Sequence, residues 1–138
     1  MTLYILDTDH LSLYARNHPI IVTRLRTNRV QLTTTAITVE EQLRGRLAQV
    51  AEAKDGGKQS LAYQRLVETV MLLSEFHVLQ YDEKAQECYR ALKTQRIRIG
   101  TQDLRIAAIA LAHNGILLTR NLRDFEKVPR LSVQDWSI

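Results

Sequence analysis

Two kinds of apolar run alternate along this chain. Leu3 to Leu6 and Ile116 to Thr119 are short and almost continuously apolar, as strands buried on both faces are. Elsewhere the apolar positions recur every three or four residues, the period of helices that cover one face. After the first strand, Asp7 or Thr8 can cap a helix carrying Leu11, Leu13 and Tyr14, which Asn17, His18 and Pro19 stop. Pro19 can open the next helix at its first position, turning Ile21, Val22 and Leu25 inward and Arg24 and Arg26 outward. A strand is expected over Arg29 to Thr33, and Thr33 to Thr35 lead into a helix over Ile37 to Ala53 with a core stripe of Val39, Leu43, Leu47 and Val50. Asp55-Gly56-Gly57 reads as a turn, after which Gln59 to Glu75 repeats the helical pattern with Leu61, Leu66, Val70 and Leu73. The pair predicts a helical hairpin that protrudes as an arm.

His77 to Gln80 reads as a strand, and Asp82 caps a helix to Arg96 with Ala85, Cys88, Tyr89 and Leu92 on one side. Thr101 opens a strongly apolar helix through His113, which Asn114-Gly115 ends before the strand at Ile116. Asn121 to Glu126 is a helical turn, Pro129 breaks it, and Leu131 to Gln134 is an edge strand before Trp136. Alternation of strands and helices, with continuous apolar strands, predicts an α/β fold: a short parallel sheet covered by helices on both faces, as a single domain over residues 1–138.

Composition narrows this a little. A chain of 138 residues, 45% hydrophobic, can bury one real core. Cys88 is the only cysteine, so no internal disulfide is possible, and no basic start leads into an apolar run of leader or membrane-span length. A cytoplasmic protein without a membrane partner is expected. The net charge of +4 comes from 19 Lys+Arg against 15 Asp+Glu, with arginine ahead of lysine. Arginine's planar fork suits phosphate, so a nucleic acid or an acidic protein is an expected partner, although many small proteins that bind neither are this basic.

The chemistry is carried by acids. In open α/β sheets, sites gather at the carboxyl ends of strands. Asp7 ends the first strand, Asp103 sits in the first turn of the helix after Gly100, and Asn121 and Asp124 follow the strand that ends at Thr119. Each also has a local role open to it: Asp7 as a helix cap, Asp103 as a first-turn acid, Asn121 with Asp124 as a capping pair. Several acids in one place repel unless a cation joins them. Glu40 has Arg44 four residues on, the order of a surface ion pair, whereas Glu41 has Gly45 there and a bare side that can face a cleft. Oxygen ligands without a cysteine or histidine cluster suit Mg²⁺ or Mn²⁺; His10, His18, His77 and His113 show no ligand-like spacing. An acid nest with a hard cation beside a basic surface suits phosphodiester hydrolysis.

Four motifs occur in order: Leu6-Asp7-Thr8-Asp9-His10-Leu11, Thr38-Val39-Glu40-Glu41-Gln42-Leu43-Arg44-Gly45, Gly100-Thr101-Gln102-Asp103-Leu104-Arg105-Ile106-Ala107, and Leu118-Thr119-Arg120-Asn121-Leu122-Arg123-Asp124-Phe125. Together they resemble a PIN-domain ribonuclease, specifically a VapC-like toxin of a type II toxin-antitoxin pair, over essentially the whole chain. The resemblance implies a PIN-like three-layer α/β/α sandwich and an endoribonuclease dependent on Mg²⁺ or Mn²⁺. It carries the metal-binding acids over to Asp7, Glu41 and Asp103. The fourth position of the family is Asn121 here, with Asp124 three residues on as the acid that can stand in for it. Asp9 replaces the usual asparagine, where it either adds charge to the site or caps a helix; Thr119 can hold a water or a carboxylate. A homodimer and a small antitoxin that occupies the cleft are also implied, with Arg44, Arg46, Arg120 and Arg123 available for RNA phosphates or acidic antitoxin groups.

Two other readings remain open at this level. Haloacid-dehalogenase-type phosphatases also begin with an apolar strand and Asp-x-Asp, which would make Asp7 the nucleophile and Asp9 the general acid, but they need a later lysine, and Lys127 is the only one after Lys93. Asn121 in place of an acid suggests instead a catalytically weak module that binds RNA or a protein partner.

Overall fold

A computed structural model describes residues 2–138. The elements run β1 (Tyr4–Leu6), α1 (Thr8–Ala15), α2 (Pro19–Thr27), β2 (Thr33–Thr35), α3 (Ala36–Glu52), α4 (Gly56–Leu73), β3 (His77–Leu79), α5 (Glu83–Thr94), α6 (Thr101–Ala112), β4 (Ile116–Leu118), α7 (Leu122–Phe125) and β5 (Ser132–Gln134). All strand pairings are parallel. One ladder has the order β1-β4-β5, with Leu6 opposite Leu118 and Leu118 opposite Gln134; the other joins β2 to β3, with Thr35 opposite Leu79. The two ladders meet at β1 and β2, where the Thr34 hydroxyl donates to the Leu6 carbonyl at 2.7 Å in place of a backbone bond.

Side chains alternate across a strand, and here that alternation builds two cores. Ile5 and Leu117 turn to one face, where they pack with Ile37, Leu92 and the buried side of α6 from Leu104 to Ala112. Leu6 and Leu118 turn to the other, against Leu11, Leu13, Ile21, Leu25, Leu73, Phe76 and Trp136. Strands this short, apolar on both sides, are stable only between two helical layers, so the three-layer α/β/α sandwich follows from the continuous apolar runs.

Four helices close with a left-handed residue that is not glycine: Asn17, Arg29, Arg96 and Asn114, with φ between 50° and 57°. After each, an amide reaches back to an earlier carbonyl, as Val30 N does to Leu25 O at 3.0 Å and Gly115 N to Ala110 O at 3.0 Å. Arg29 therefore belongs to the end of α2, and the strand expected over Arg29 to Thr33 begins only at Thr33. Gly115 is required for space: a Cβ there would lie 2.5 Å from Ile5 Cδ1.

The hairpin is formed by α3 and α4, and Asp55 caps α4 by accepting from Lys58 N at 2.8 Å. Gly56 and Gly57 open that helix, so the turn expected at Asp55-Gly56-Gly57 is a cap followed by a first turn. The apolar stripes read as core split in two. Val39, Leu43 and Leu73 join the packed layer, whereas Leu47, Leu61 and Val70 are exposed together with Tyr63, Val67 and Met71. The exposed apolar positions of α4 run from Leu61 to Met71 and interleave with the buried Ala62, Thr69 and Leu73, so one face of the helix is covered and another is not. No helix among the described residues is long and apolar enough to cross a membrane.

Candidate metal centre

The carboxyl ends of β1, β2 and β4 bring the acids together. Asp7 follows β1 directly and is the N-cap of α1, its Oδ1 accepting the His10 amide at 2.8 Å. It is 7% exposed, and its carboxyl is pushed up to about 6, first by burial and then by the negative charges of Asp9 and Asp103, against the His10 amide and the Thr119 hydroxyl. Thr119 Oγ1 already accepts from Asn121 N at 2.9 Å, which turns its hydrogen toward Asp7.

Asp103 lies in the first turn of α6. Burial raises its pKa, and the charges of Glu41 and Asp124 raise it further. Glu41 projects from α3 and its Oε1 accepts from Thr8 Oγ1 at 2.7 Å, so the residue that follows Asp7 in the chain touches the next acid of the set. A Cβ on Gly45 would meet nothing within 4 Å, so the side of α3 beyond Glu41 is open. Glu40, one residue earlier, is turned away to an ion pair with Arg44 and also accepts from Gln102 Nε2 at 2.8 Å. The charge of Asp103 thus reaches Asp7 and that of Glu41 reaches Asp103, each adding to the larger effect of burial. Asn121 caps α7 by accepting from Asp124 N, and its amide and Lys127 hold the Asp124 carboxylate and lower its pKa. Asp124 is half-buried and already satisfied, yet close enough for its charge to reach Asp103.

Asp9 does not cap a helix, since Asp7 does. Arg120 takes both its oxygens, Nε to Oδ2 at 2.6 Å and Nη2 to Oδ1 at 2.8 Å. The surplus acid of the opening motif is therefore matched by the arginine that follows Thr119. Of the other arginines, Arg46 binds Thr69 Oγ1 at 2.9 Å and Gln49 Oε1 at 3.0 Å, which ties α3 to α4, while Arg44 and Arg123 are exposed.

His10 was not distinguished by spacing from the other histidines, yet it is fully buried beside Asp7, with Nδ1 at 3.7 Å from Asp7 Oδ1. Asp7, Asp9 and His10 present ligand-type atoms within 4.8 Å of one another. Their hydrogen bonds argue against that trio as a cation site. His10 Nε2 faces the Trp136 amide at 3.1 Å and must accept from it, so Nδ1 carries the proton and has no lone pair for a metal. Asp9 is committed to Arg120. Asp7, Glu41 and Asp103 offer carboxylate oxygens alone, the donor type that suits a hard divalent cation. Burial lowers the His10 pKa, which keeps the ring neutral. The one sequence signal for His10 is its place directly after Asp7-Thr8-Asp9; the Trp136 contact joins residues 126 apart and is invisible in a linear reading.

Fold and site together define an α/β protein with an acidic centre at the carboxyl ends of a parallel sheet. The chain belongs to the PIN-domain family, whose model matches residues 4–131. It is similar to Ribonuclease VapC1 of Haemophilus influenzae strain R2866, with 31% identity covering 98% of each chain. It is also similar to the tRNA(fMet)-specific endonuclease VapC of Salmonella typhimurium, with 29% identity over 99% of each. Among solved structures, VapBC-1 from nontypeable Haemophilus influenzae superposes with a TM-score of 0.77 at 27% identity, over 99% of this chain and 100% of that one. The phosphatase alternative finds no support: Asp9 is bound through both oxygens and is not free to act as a general acid.

Proposed function

We propose that this chain is a metal-dependent endoribonuclease, the toxin of a type II toxin-antitoxin pair, in which Asp7, Glu41 and Asp103 hold Mg²⁺ or Mn²⁺. The observation that carries the reading is the placement of three acids at one end of the sheet: Asp7 caps α1, Thr8 beside it holds Glu41 at 2.7 Å, and Asp103 opens α6 near enough for the charge of Glu41 to act on it. Burial first and neighbouring charges second raise Asp7 to about 6 and raise Asp103. Its relatives are named as ribonucleases and as a tRNA endonuclease.

Such an ion polarises a phosphate and makes water a better nucleophile at neutral pH. The chain supplies the rest. Asp7 is oriented by the His10 amide and the Thr119 hydroxyl, and Glu41 by Thr8. Asp124, half-buried beside Asp103 and held ionised by Asn121 and Lys127, adds negative charge at this end of the sheet. Arg123 is exposed at this end of the sheet and offers its fork to RNA phosphates, whereas the Arg120 fork is engaged by Asp9. A small antitoxin protein is the expected partner, as the solved VapBC relative suggests, and the exposed apolar face of α4 is surface available to it or to a second copy in a homodimer.

Purified protein with Mn²⁺ should cut RNA, and Asp103→Asn should reduce the rate by more than about a hundredfold, beyond what indirect changes near a metal produce. If Asp103→Asn cuts as the wild type does, the acid assignment is wrong. If the wild type binds RNA but never cuts it with Mn²⁺ or Mg²⁺, the chain is a binding module.

A further inference from the structure

Three threonine hydroxyls between the strand ends and the acids form a directed line. Thr33, Thr34, Thr35 and Thr38 are fully buried. Thr34 is spent on joining the two ladders, and Thr33 donates to the Gln31 carbonyl at 3.4 Å. Thr35, Thr38 and the half-buried Thr8 connect in sequence: Thr35 Oγ1 to Thr38 Oγ1 at 3.4 Å, Thr38 Oγ1 to Thr8 Oγ1 at 3.1 Å, and Thr8 Oγ1 to Glu41 Oε1 at 2.7 Å.

The direction of every bond is settled by its end. A hydroxyl has one hydrogen, and Thr8 gives its own to a carboxylate oxygen that can only accept when ionised. Thr8 must therefore receive from Thr38, which resolves the pair whose donor is otherwise ambiguous. Thr38 in turn is left to receive from Thr35. At the far end Thr35 Oγ1 accepts the Thr38 amide at 3.2 Å, so the line begins in the N-terminal cap of α3 and ends on Glu41, one turn further along the same helix. Hydrogen bonds aligned in this way polarise one another, and the Thr35–Thr38 end of the line is fully buried.

We propose that Thr8 and Thr38 are positioning residues that fix the Glu41 carboxylate for the metal centre. This rests on the assignment of Glu41 as a ligand. Neither hydroxyl touches the cation or the substrate; they act through Glu41. Thr8 is placed by Asp7, which caps the helix that Thr8 begins, so the same short stretch sets one acid directly and the other through a hydroxyl. Further bonds between α1 and α3 hold the register: Gln42 Nε2 donates to Ser12 Oγ at 3.0 Å, and Ser12 Oγ donates to the Thr8 carbonyl at 3.0 Å.

The test is equilibrium binding of Mn²⁺ to the whole chain, read from the electron paramagnetic resonance of free Mn²⁺, with thermal melts to confirm folding. Thr38→Val keeps the shape and removes the hydroxyl; Thr38→Ser keeps the hydroxyl and removes a methyl. Thr38→Val is expected to raise the Mn²⁺ dissociation constant by about tenfold or more, the usual effect of losing a group that orients a ligand, while Thr38→Ser retains wild-type affinity. Thr8→Val, at a half-buried position, should match Thr38→Val and carries the test if Thr38→Val does not fold. Equal weakening by Thr38→Val and Thr38→Ser would show that packing, not the hydroxyl, matters, and would overturn the proposal. So would wild-type affinity in Thr38→Val and Thr8→Val alongside weakened binding by Glu41→Gln, which leaves the ligand assignment standing. Wild-type affinity in Glu41→Gln would instead overturn the ligand assignment itself.

Discussion

Arg120 closes on Asp9 through two parallel hydrogen bonds, at 2.6 and 2.8 Å, and in doing so occupies the one acid that the opening motif has in excess. The fork-on-carboxylate geometry uses both oxygens of Asp9. Asp9→Asn should therefore leave Mn²⁺ affinity within about tenfold of wild type, the lower end of an indirect effect, whereas Asp7→Asn should reduce it much further. Both are measured by the same Mn²⁺ titration. Comparable losses in the two variants would mean that Asp9 leaves Arg120 to bind the ion.

The pair is half exposed, with side-chain accessibilities of 52% and 39%, so its contribution to stability is small despite good geometry. A double-mutant cycle of Asp9→Asn and Arg120→Ala should give a coupling of at most ~1 kcal/mol in unfolding free energy. RNA binding by Arg123→Ala, at an exposed arginine with a free fork, should fall and show a weaker salt dependence, because one cation available to phosphate is gone.

Burial raises the Asp7 carboxyl from 3.8 to about 6. Between those values the folded chain holds a proton that the unfolded chain has released, so chelator-treated protein loses stability as pH rises through that window and stays less stable above it, by on the order of 3 kcal/mol. Asp103 shifts in the same direction. His10 works oppositely: its lowered pKa means that the unfolded chain takes up a proton first, so its contribution falls as pH drops below 6.5. Urea midpoints at about pH 5 and about pH 7 should thus differ less, or with opposite sign, in Asp7→Asn than in wild type. Identical pH dependence in the two proteins would remove Asp7 as the source.

The tail should prove part of the site's scaffold. Trp136 is 3% exposed, lies 4.7 Å from the Tyr4 ring and 4.8 Å from the Arg24 guanidinium, and donates its amide to His10. Nitrogen-15 spectra should show His10 as the neutral Nδ1–H tautomer near neutral pH. Trp136→Ala should cost roughly 3–5 kcal/mol, read from urea unfolding, through lost packing.

Gly115→Ala should be destabilising by roughly 1–3 kcal/mol, because the new methyl meets Ile5 in the core. Gly45→Ala, where a Cβ meets nothing, should instead be neutral or slightly stabilising through helix propensity. A reversed order of their melting temperatures would contradict the packing described for both.

Much of this protein is written locally. Continuous apolar runs at Leu3 to Leu6 and Ile116 to Thr119 place buried parallel strands, helical periodicity places the helices to within a few residues, and Asp7 and Asp103 stand at element starts where the chain itself sets their position. These follow from interactions between residues close in sequence, which a linear pattern records. Where α2 ends depended on Arg29 adopting a left-handed turn, a choice few patterns announce for arginine, and it moved β2 to Thr33. Which apolar positions are core was decided by packing partners: Leu43 lies against a buried cluster, whereas Leu47, one turn further along α3, is 55% exposed. Pairings such as Asp9 with Arg120, Trp136 with His10 and Thr8 with Glu41 join residues 33 to 126 apart. Only the folded chain brings such groups within hydrogen-bonding distance, and there the fate of each acid is set by which donor reaches it first.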